Sequence, residues 1–447
     1  MIIRIASTVL VYLLISLYFS NHFFFHTVIN GVNLSLRAYE DADYIIRSYM
    51  KDYELQLIER NGETEFITGH DIELQYNEMN SITKIYREQN SFLWISSLFK
   101  SQSYCVTDLY RYNNDKLEDT VNELMCINKD MLEPQNVRFE YSNGTYEVIE
   151  EIYGNKIRKD KLSEEIKKYI LRGNASLDLE LMYCYENPKY IISSDKALQT
   201  KNLLNEYVAT NISYRFGNEV EILDGNIINK WLHVDENLDI IIIKNAVMEY
   251  VKRLGKKYDT VGATRNFKTS TGKIVEVKGG LYGWKINQEE ETKALIKNIK
   301  LGNVFEKEPI YIQKALSRNK DEICNTYIEI NITRQHLWFY KDGKLIAQGA
   351  VVTGNPNRGS STVVGTYMIN YKQRGATLKG LGYEVEVNYW MPFYGNMGIH
   401  DASWRNSFGG EIYKSRGTHG CVNAPLYLAK IIYENIEVGI LVISYEE

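Results

Sequence analysis

The chain has 447 residues, 44% of them hydrophobic, and a formal net charge of −5 at pH 7. This length exceeds that of one ordinary domain, so we expect two to four folded units. The slightly acidic balance argues against a nucleic-acid-binding protein, because such proteins carry a basic surface.

The N-terminus is uncharged and largely apolar. Residues 5–36 contain no Lys, Arg, Asp or Glu, and the apolar part, residues 5–25, is about long enough to cross a bilayer as a helix. Arg4 precedes it, which favours a cytoplasmic N-terminus. A cleavable signal peptide is the alternative, but no small-x-small cleavage site follows the apolar core. We therefore predict an uncleaved single-pass membrane anchor over residues 1–26, with the rest of the chain on the outer side.

The middle of the chain contains an approximate repeat. Phe139 and Gly144 recur 128 residues later as Phe267 and Gly272, and a second set recurs after 129 residues: Tyr153-Gly154 with Tyr282-Gly283, and Gly173 with Gly302. A repeat of this kind indicates a duplicated module. Each copy contains β-like runs followed by a charged helical segment that ends at glycine. We predict two α+β modules, over residues 27–195 and 196–316.

The C-terminal part has a different pattern. Residues 317–322 are charged or polar and are predicted to be a linker. Residues 327–332 alternate as in a strand, and Asp342-Gly343 predicts a hairpin turn. A final helix is expected after Cys421, with Asn423 as its N-cap and Pro425 in its first turn. We predict a mainly-β domain over residues 325–447.

Cys421 is the strongest candidate for chemistry. Five cysteines occur without a CxxC pair, which excludes a zinc ribbon or thioredoxin motif. Directly before the predicted helix, the Cys421 thiolate would be stabilised by the helix N-terminus. The N–H groups of Gly420 and Cys421 could hold an oxyanion. The sequence leaves open whether Cys105 and Cys126 form a disulfide. The alternative is that the four thiols Cys105, Cys126, Cys184 and Cys324 are all buried and unpaired.

Two histidines accompany this thiol. His400 is the candidate base, its tautomer fixed by Asp401 or by a nearby backbone carbonyl, and His419 is assigned a supporting role. One alternative is an inert buried thiol. The other is a zinc site formed by His400, His419 and Cys421, although no carboxylate or second cysteine stands at a usual ligand spacing. From residue chemistry alone, catalysis and these alternatives stay open.

Residues 325–447 resemble the catalytic domain of the L,D-transpeptidases, enzymes that cross-link bacterial peptidoglycan. Residues 27–315 resemble, in two copies, the peptidoglycan-binding module that precedes this domain in some Gram-positive members. Thr418 departs from the usual serine, and Thr362-Val363-Val364-Gly365 from Thr-Pro-x-Gly. The matching motifs are Gln335-x-Leu337-Trp338-x-Tyr340, Val352-Thr353-Gly354, Tyr389-Trp390-Met391-Pro392-Phe393, Gly398-Ile399-His400-Asp401-Ala402 and His419-Gly420-Cys421-Val422-Asn423.

The resemblance implies roles for individual residues. Cys421 would be the nucleophile, His400 the proton acceptor and donor, and Asp401 the orienting group. The family fold is mainly β with a flap over the cleft, here expected over residues 372–394. The oxyanion and substrate pocket would be formed by Thr418, His419, Gly420, Tyr389, Trp390 and Asn423. For the aromatic residues Tyr389, Trp390 and Phe393, a plain core position is an equal alternative.

The function expected from this resemblance is the formation of 3→3 cross-links during cell wall biogenesis, which maintains cell shape. A tetrapeptide stem would be the donor and the side-chain amine of a diamino acid the acceptor, without metal or organic cofactor. Carbapenems would be expected to inhibit the enzyme. Both modules and the catalytic domain would lie on the cell-wall side of the membrane. Two alternatives remain: an L,D-carboxypeptidase, with water as the acceptor, and a wall-binding scaffold with a weakly active site.

Overall fold

The computed structural model describes residues 2–77, 81–318, 321–380 and 383–447. The chain forms two compact units, the first composed of Met1–Glu140 and Glu147–Gln199, the second of Tyr141–Tyr146 and Thr200–Glu447.

The first unit contains short helices and small sheets. Its helices are α1 (Ile2–Tyr18), α2 (Ala42–Lys51), α3 (Ser81–Glu88), α4 (Trp94–Ser97), α5 (Asn114–Glu123), α6 (Met125–Asn128) and α7 (Lys159–Arg172), and α8 (Asp195–Val208) begins at its end. Its strands are β1 (Thr27–Ile29), β2 (Val32–Asn33), β3 (Glu54–Ile58), β4 (Thr64–Thr68), β5 (Gln75–Tyr76), β6 (Gln102–Tyr104), β7 (Tyr110–Arg111), β8 (Arg138–Ser142), β9 (Thr145–Ile149) and β10 (Ser176–Asp178), with residues 141–146 of the β8–β9 hairpin assigned to the second unit.

The N-terminal helix is shorter than the predicted membrane anchor. Helix α1 ends at Tyr18, and the aromatic residues after it leave the helix and are buried, including Phe19 and Phe23. The Phe23 N–H donates to the Arg37 carbonyl, which returns the chain to the module. No helix in the described part of the chain is long and apolar enough to cross a bilayer. The predicted span over residues 5–25 does not form one helix, because α1 ends at Tyr18 and Phe19 and Phe23 pack inside the first unit.

The second unit begins with another module. Its helices are α9 (Gly225–Ile228), α10 (Lys244–Tyr258) and α11 (Gln288–Ile299). Its strands are β11 (Asn211–Phe216), β12 (Glu219–Leu223), β13 (Leu232–Val234), β14 (Ile240–Ile242), β15 (Arg265–Lys268), β16 (Ile274–Val277), β17 (Lys285–Ile286), β18 (Val304–Lys307) and β19 (Tyr311–Gln313).

The two modules share one topology. A three-stranded sheet has the order β10-β3-β4 in the first copy and β18-β11-β12 in the second. In each sheet the central strand pairs antiparallel with its successor and parallel with a strand from the end of the module. Gly173 and Gly302 follow the equivalent helices with φ values of +70° and +58°. Glycine adopts this left-handed conformation without a steric cost, which explains why it recurs at both positions.

The C-terminal part is mainly β. Its strands are β20 (Tyr327–Asn331), β21 (His336–Lys341), β22 (Lys344–Ala350), β23 (Gly365–Met368), β24 (Gln373–Gly380), β25 (Tyr383–Tyr394), β26 (Met397–Asp401), β27 (Val422–Ala424) and β28 (Leu441–Tyr445). Its helices are α12 (Ile412–Arg416) and α13 (Leu426–Asn435).

Two sheets in this part enclose one hydrophobic core. The first sheet has the order β22-β21-β20-β28-β23 and the second β24-β25-β26-β27. Alternate residues of β20 and β21, among them Ile330 and Phe339, pack against Met391 and Phe393 of β25 and against α13. This core supports the parallel pair β26–β27, which carries the predicted catalytic motifs.

The predicted linker, residues 317–322, is in part a buried structural element. Glu322 is 5% exposed and forms an ion pair at 2.6 Å with Arg265, which is 2% exposed. Arg265 also donates to the Thr366 hydroxyl of β23 at 3.1 Å. Residues 319–320 lie outside the described residues. The second module and the catalytic sheet thus share buried contacts. Arg265 can be buried there because Glu322 pairs with its charge, and an unpaired buried charge would be costly.

Candidate active site

Cys421 and His400 meet at one pocket. Strands β26 and β27 are parallel, with His400 opposite Asn423. Cys421 directly precedes β27, two residues before Asn423, and its side chain lines the same pocket as Asn423 and His400. The pocket has a volume of about 300 Å³, and its lining residues are Leu378, Val385, His400, Trp404, Arg405, Gly417, Thr418, His419, Cys421 and Asn423.

His400 is buried and held as a neutral base. Its Nδ1 lies 2.8 Å from the backbone carbonyl oxygen of Asp401. A carbonyl oxygen only accepts hydrogen bonds, so Nδ1 carries the proton and Nε2 is the basic nitrogen. Burial lowers the pKa of His400, because it disfavours the charged imidazolium.

The Asp401 carboxylate has a different position from the one predicted. Its Oδ1 accepts from the Tyr389 backbone N–H and its Oδ2 from the Asn388 side chain, both at 2.8 Å. These bonds tie β26 to β25. The group that orients His400 is therefore the backbone carbonyl of Asp401, and the carboxylate supports the strand pair.

The Cys421 thiol is not stabilised as a thiolate. Its Sγ lies 3.5 Å from the Asn396 carbonyl oxygen, and it packs against the apolar cluster of Ala376, Val387 and Trp390. Burial raises the pKa of Cys421 to about 11, while a backbone hydrogen bond from Gly398 acts in the opposite direction.

This pKa contradicts the lowered value expected from the sequence. The cause is the secondary structure that follows Cys421. Val422–Ala424 form strand β27, and helix α13 begins only at Leu426, with Pro425 as its N-cap. Asn423 is thus a strand residue and not the predicted N-cap. The N-terminus of α13 comes after β27 and not directly after Cys421.

A threonine turn shapes the backbone before the thiol. The Thr418 hydroxyl donates to the Cys421 carbonyl at 2.6 Å and accepts from the Gly420 N–H at 3.0 Å. Threonine thus supplies the hydroxyl that serine has in the family motif. Because the Gly420 N–H already donates to Thr418, the predicted oxyanion role of this amide is not supported by the geometry.

Gly420 itself requires glycine. Its φ is +120°, and a Cβ at this position would lie 2.9 Å from Sδ of Met397. The backbone conformation therefore favours glycine there, and any side chain would also have to displace the flexible Met397 side chain.

Tyr389 and Trp390 lie on opposite faces of β25. Trp390 is opposite His400 in the strand pair, and its ring centroid lies 5.8 Å from that of His400. Tyr389 lies in the core on the other face, 5.1 Å from Tyr433, and Phe393 is buried there too. Tyr389 thus occupies a core position, the alternative given for it from the sequence.

Several pocket residues were missed from the sequence. Leu378 and Val385 are cross-strand neighbours in the β24–β25 hairpin, which forms the wall expected from a flap over residues 372–394. Residues 381–382 of that segment lie outside the described residues. Trp404 and Arg405 follow His400 by four and five positions. This closeness in sequence is the signal that could have identified them as pocket residues.

The remaining alternatives concern metal and disulfides. Among the residues that the structure describes, no group of three or more His, Cys, Asp or Glu side chains is arranged to hold a metal ion. All five cysteines are unpaired, with Cys105 exposed and Cys126 and Cys184 buried.

Comparison with known proteins agrees with the motifs at this pocket. Residues 325–443 match the family model "L,D-transpeptidase catalytic domain", and residues 66–178 and 191–304 match the model "Putative peptidoglycan binding domain". No curated protein matches the chain.

Two solved structures illustrate the similarity. The chain is 33% identical to a mutant of the Enterococcus faecium L,D-transpeptidase, covering 56% of this chain and 100% of that one, with a TM-score of 0.45. It is 40% identical to the catalytic domain of an E. faecium L,D-transpeptidase acylated by ertapenem, covering 28% of this chain and 98% of that one, with a TM-score of 0.26. The chain therefore belongs to the L,D-transpeptidase family, with the catalytic domain preceded by two peptidoglycan-binding domains.

Proposed function

We propose that this protein is a peptidoglycan L,D-transpeptidase that forms 3→3 cross-links through a thioester on Cys421. The observation that carries the proposal is the presence of Cys421 and the buried, neutral His400 on one face of β26–β27, lining one pocket. Cysteine paired with a base is the requirement for nucleophilic acyl transfer.

In the acylation step, Sγ of Cys421 attacks the carbonyl carbon of the third residue of a tetrapeptide donor. Nε2 of His400 takes the thiol proton as the S–C bond forms. The tetrahedral intermediate then breaks the C–N bond to the terminal D-Ala. The protonated His400 returns its proton to the leaving amine, and a thioester remains.

In the second step, the side-chain amine of a neighbouring diamino acid attacks the thioester carbon. His400 accepts the proton of this amine and returns it to the departing sulfur. The Cys421 backbone N–H is the proposed oxyanion donor, because the Gly420 N–H already donates to Thr418. His419 lines the same pocket and is exposed, so we assign it to the substrate-binding surface.

The raised pKa of Cys421 decides the form of this mechanism. At pH 7 both the thiol and the imidazole are neutral, so the reactive thiolate forms only as the proton moves to His400. This is general-base catalysis with no preformed thiolate–imidazolium pair. The apolar wall of Ala376, Val387 and Trp390 keeps the resting thiol uncharged.

We further propose that the two modules retain the enzyme at the cell wall, as the description of their family implies. Acylation by carbapenems is expected, because an E. faecium L,D-transpeptidase catalytic domain is known in a form acylated by ertapenem.

The test is incubation of the purified full chain with disaccharide-tetrapeptide, followed by mass analysis. We expect free D-Ala, a thioester on Cys421 and cross-linked dimers. Cys421→Ala should form neither thioester nor dimer. Cys105→Ala removes an exposed thiol that is distant from Cys421 in sequence, and as the control it should form both. A tripeptide product without dimers would establish the carboxypeptidase instead, and no product with an intact thiol would favour the scaffold.

A further inference from the structure

Arg405 brings a positive charge to the pocket of Cys421 and His400. It lies in the segment after β26 and lines the pocket together with both residues. Its Nη2 donates to the Arg416 carbonyl at 2.9 Å, which fixes the guanidinium at one end. Its Nε is buried and has no hydrogen-bond partner among the described residues.

The pocket lining contains no Asp or Glu among the described residues, and three of its members, Leu378, Val385 and Trp404, are apolar or aromatic. A partly buried guanidinium is stabilised by a planar anion such as a carboxylate. Because Nε is buried from solvent, a carboxylate in the pocket would contact the outer Nη1 and Nη2 groups of Arg405. The positive charge of Arg405 adds to the effect of burial in lowering the pKa of His400.

The proposed donor carries a carboxylate at a matching place. In a tetrapeptide stem, the leaving D-amino acid has a free α-carboxylate that is separated from the scissile carbonyl by one nitrogen and one α-carbon. When Sγ of Cys421 contacts the scissile carbon, this carboxylate therefore lies close to the nucleophile, within reach of residues that line the same pocket.

We propose that Arg405 binds the free α-carboxylate of the leaving D-amino acid and thereby selects donor stems that end at this residue. The inference rests on the proposed function. It assigns Arg405 to substrate specificity, with Arg416 holding the guanidinium through its backbone oxygen. Donors whose fourth residue is amidated or extended by a fifth residue lack this carboxylate and are disfavoured.

The experiment compares two synthetic donors that differ in one group. One tetrapeptide ends in the D-Ala carboxylate and the other in the D-Ala carboxamide, and kcat/KM for acylation of Cys421 is measured with each. We expect the full-length protein to prefer the carboxylate by about tenfold to a hundredfold, as is usual for a charge-assisted hydrogen bond. In Arg405→Gln this preference should fall to about one, mainly through a higher KM for the carboxylate donor.

Two further variants separate charge from geometry. Arg405→Lys keeps the charge without the planar fork and should retain part of the preference. Arg416→Gln removes a neighbouring exposed charge and leaves the backbone carbonyl, so it should retain the full preference. Iodoacetamide, which is neutral, should alkylate Cys421 at similar rates in wild type and Arg405→Gln, which checks that the thiol itself is intact.

The outcomes are distinguishable. An unchanged preference in Arg405→Gln overturns the inference, and so does an equal loss on both donors, because that would indicate a purely structural role. A wild-type protein that forms no thioester with either donor overturns the proposed function and the inference with it. A wild-type protein that acylates both donors equally overturns only the carboxylate inference.

Discussion

The Thr362 hydroxyl donates to the Gly420 carbonyl at 2.8 Å and thereby fixes the peptide directly before Cys421. The same hydroxyl accepts from the Gly354 N–H at 2.9 Å, and Thr362 is only 3% exposed. The segment before β23 thus holds the loop before Cys421, although it lies outside the sequence motif around that cysteine. In the sequence, Thr362 stands out only as part of a turn that lacks the proline common in the family.

Replacing Thr362 by valine should weaken this support. Thr362→Val keeps the shape but leaves the buried Gly354 N–H and Gly420 C=O without their partner, at a cost of about 1–3 kcal/mol for each unsatisfied group. We expect a lower free energy of unfolding and slower acylation of Cys421. Thr362→Ser keeps the hydroxyl and is the control. Equal acylation rates in Thr362→Val and wild type would show that the loop is fixed without this hydroxyl.

The pH dependence of Cys421 alkylation follows from its raised pKa. The thiolate is the reacting form, so iodoacetamide alkylation should be slow at pH 7, increase about tenfold per pH unit and level off only near pH 11. The measurement is mass spectrometry of the Cys421 peptide over this pH range. A plateau below pH 8 would contradict the neutral resting thiol. Slow alkylation is thus compatible with an enzyme, and acyl-enzyme formation is the sharper test against a scaffold.

The loss of turnover at low pH should reflect the protonation of His400. Its pKa lies below the ordinary value of 6.5, and only the neutral imidazole can accept the thiol proton. More than half of the activity should therefore remain at pH 6.5, and it should fall as the pH drops through the lowered pKa. Stopped assays of dimer formation between pH 4.5 and 8 measure this limb. His400→Gln should reduce kcat by about 10²–10⁴-fold, the usual contribution of a general base. A midpoint above pH 7 would contradict the buried, neutral base.

Asp401→Asn distinguishes a structural carboxylate from a catalytic one. The carboxylate bonds to Asn388 and to the Tyr389 N–H, so its loss should lower the free energy of unfolding by about 1–3 kcal/mol. His400 is oriented by the backbone oxygen of residue 401, which the substitution keeps. The fall in kcat should therefore be far smaller than the roughly 10⁴-fold seen when an orienting carboxylate is replaced in a Ser-His-Asp triad. Thermal unfolding and kcat on the same sample give both quantities, and a fall of that size would return Asp401 to an orienting role.

The buried Arg265–Glu322 pair should be important for stability. Arg265→Met leaves the buried Glu322 charge unpaired, which costs about 3–5 kcal/mol. Arg215→Met is the matched control, because its ion pair with Glu306 is half exposed on both sides and should contribute at most about 1 kcal/mol. Denaturant unfolding of both variants measures the difference. An equal loss of unfolding free energy in the two variants would mean that Glu322, without Arg265, pairs with another group or is hydrated.

The sequence alone determined the repeated modules, the mainly-β catalytic domain and the residues Cys421 and His400. Glycines with positive φ recur at a fixed spacing, strand residues alternate, and the motif combination around the thiol is specific, so each of these features is written in local sequence.

The length of the N-terminal helix, the strand at Val422–Ala424, the pKa of Cys421 and the partners of Asp401 were decided only by the tertiary structure. Burial and hydrogen-bond partners depend on which distant elements pack together, and the pairing of residues far apart in the chain has no local signature. Pro425 is an example. Its sequence position fits a helix that begins at any of several nearby residues. Because β27 pairs with β26, residues 422–424 are extended and the helix begins only after Pro425.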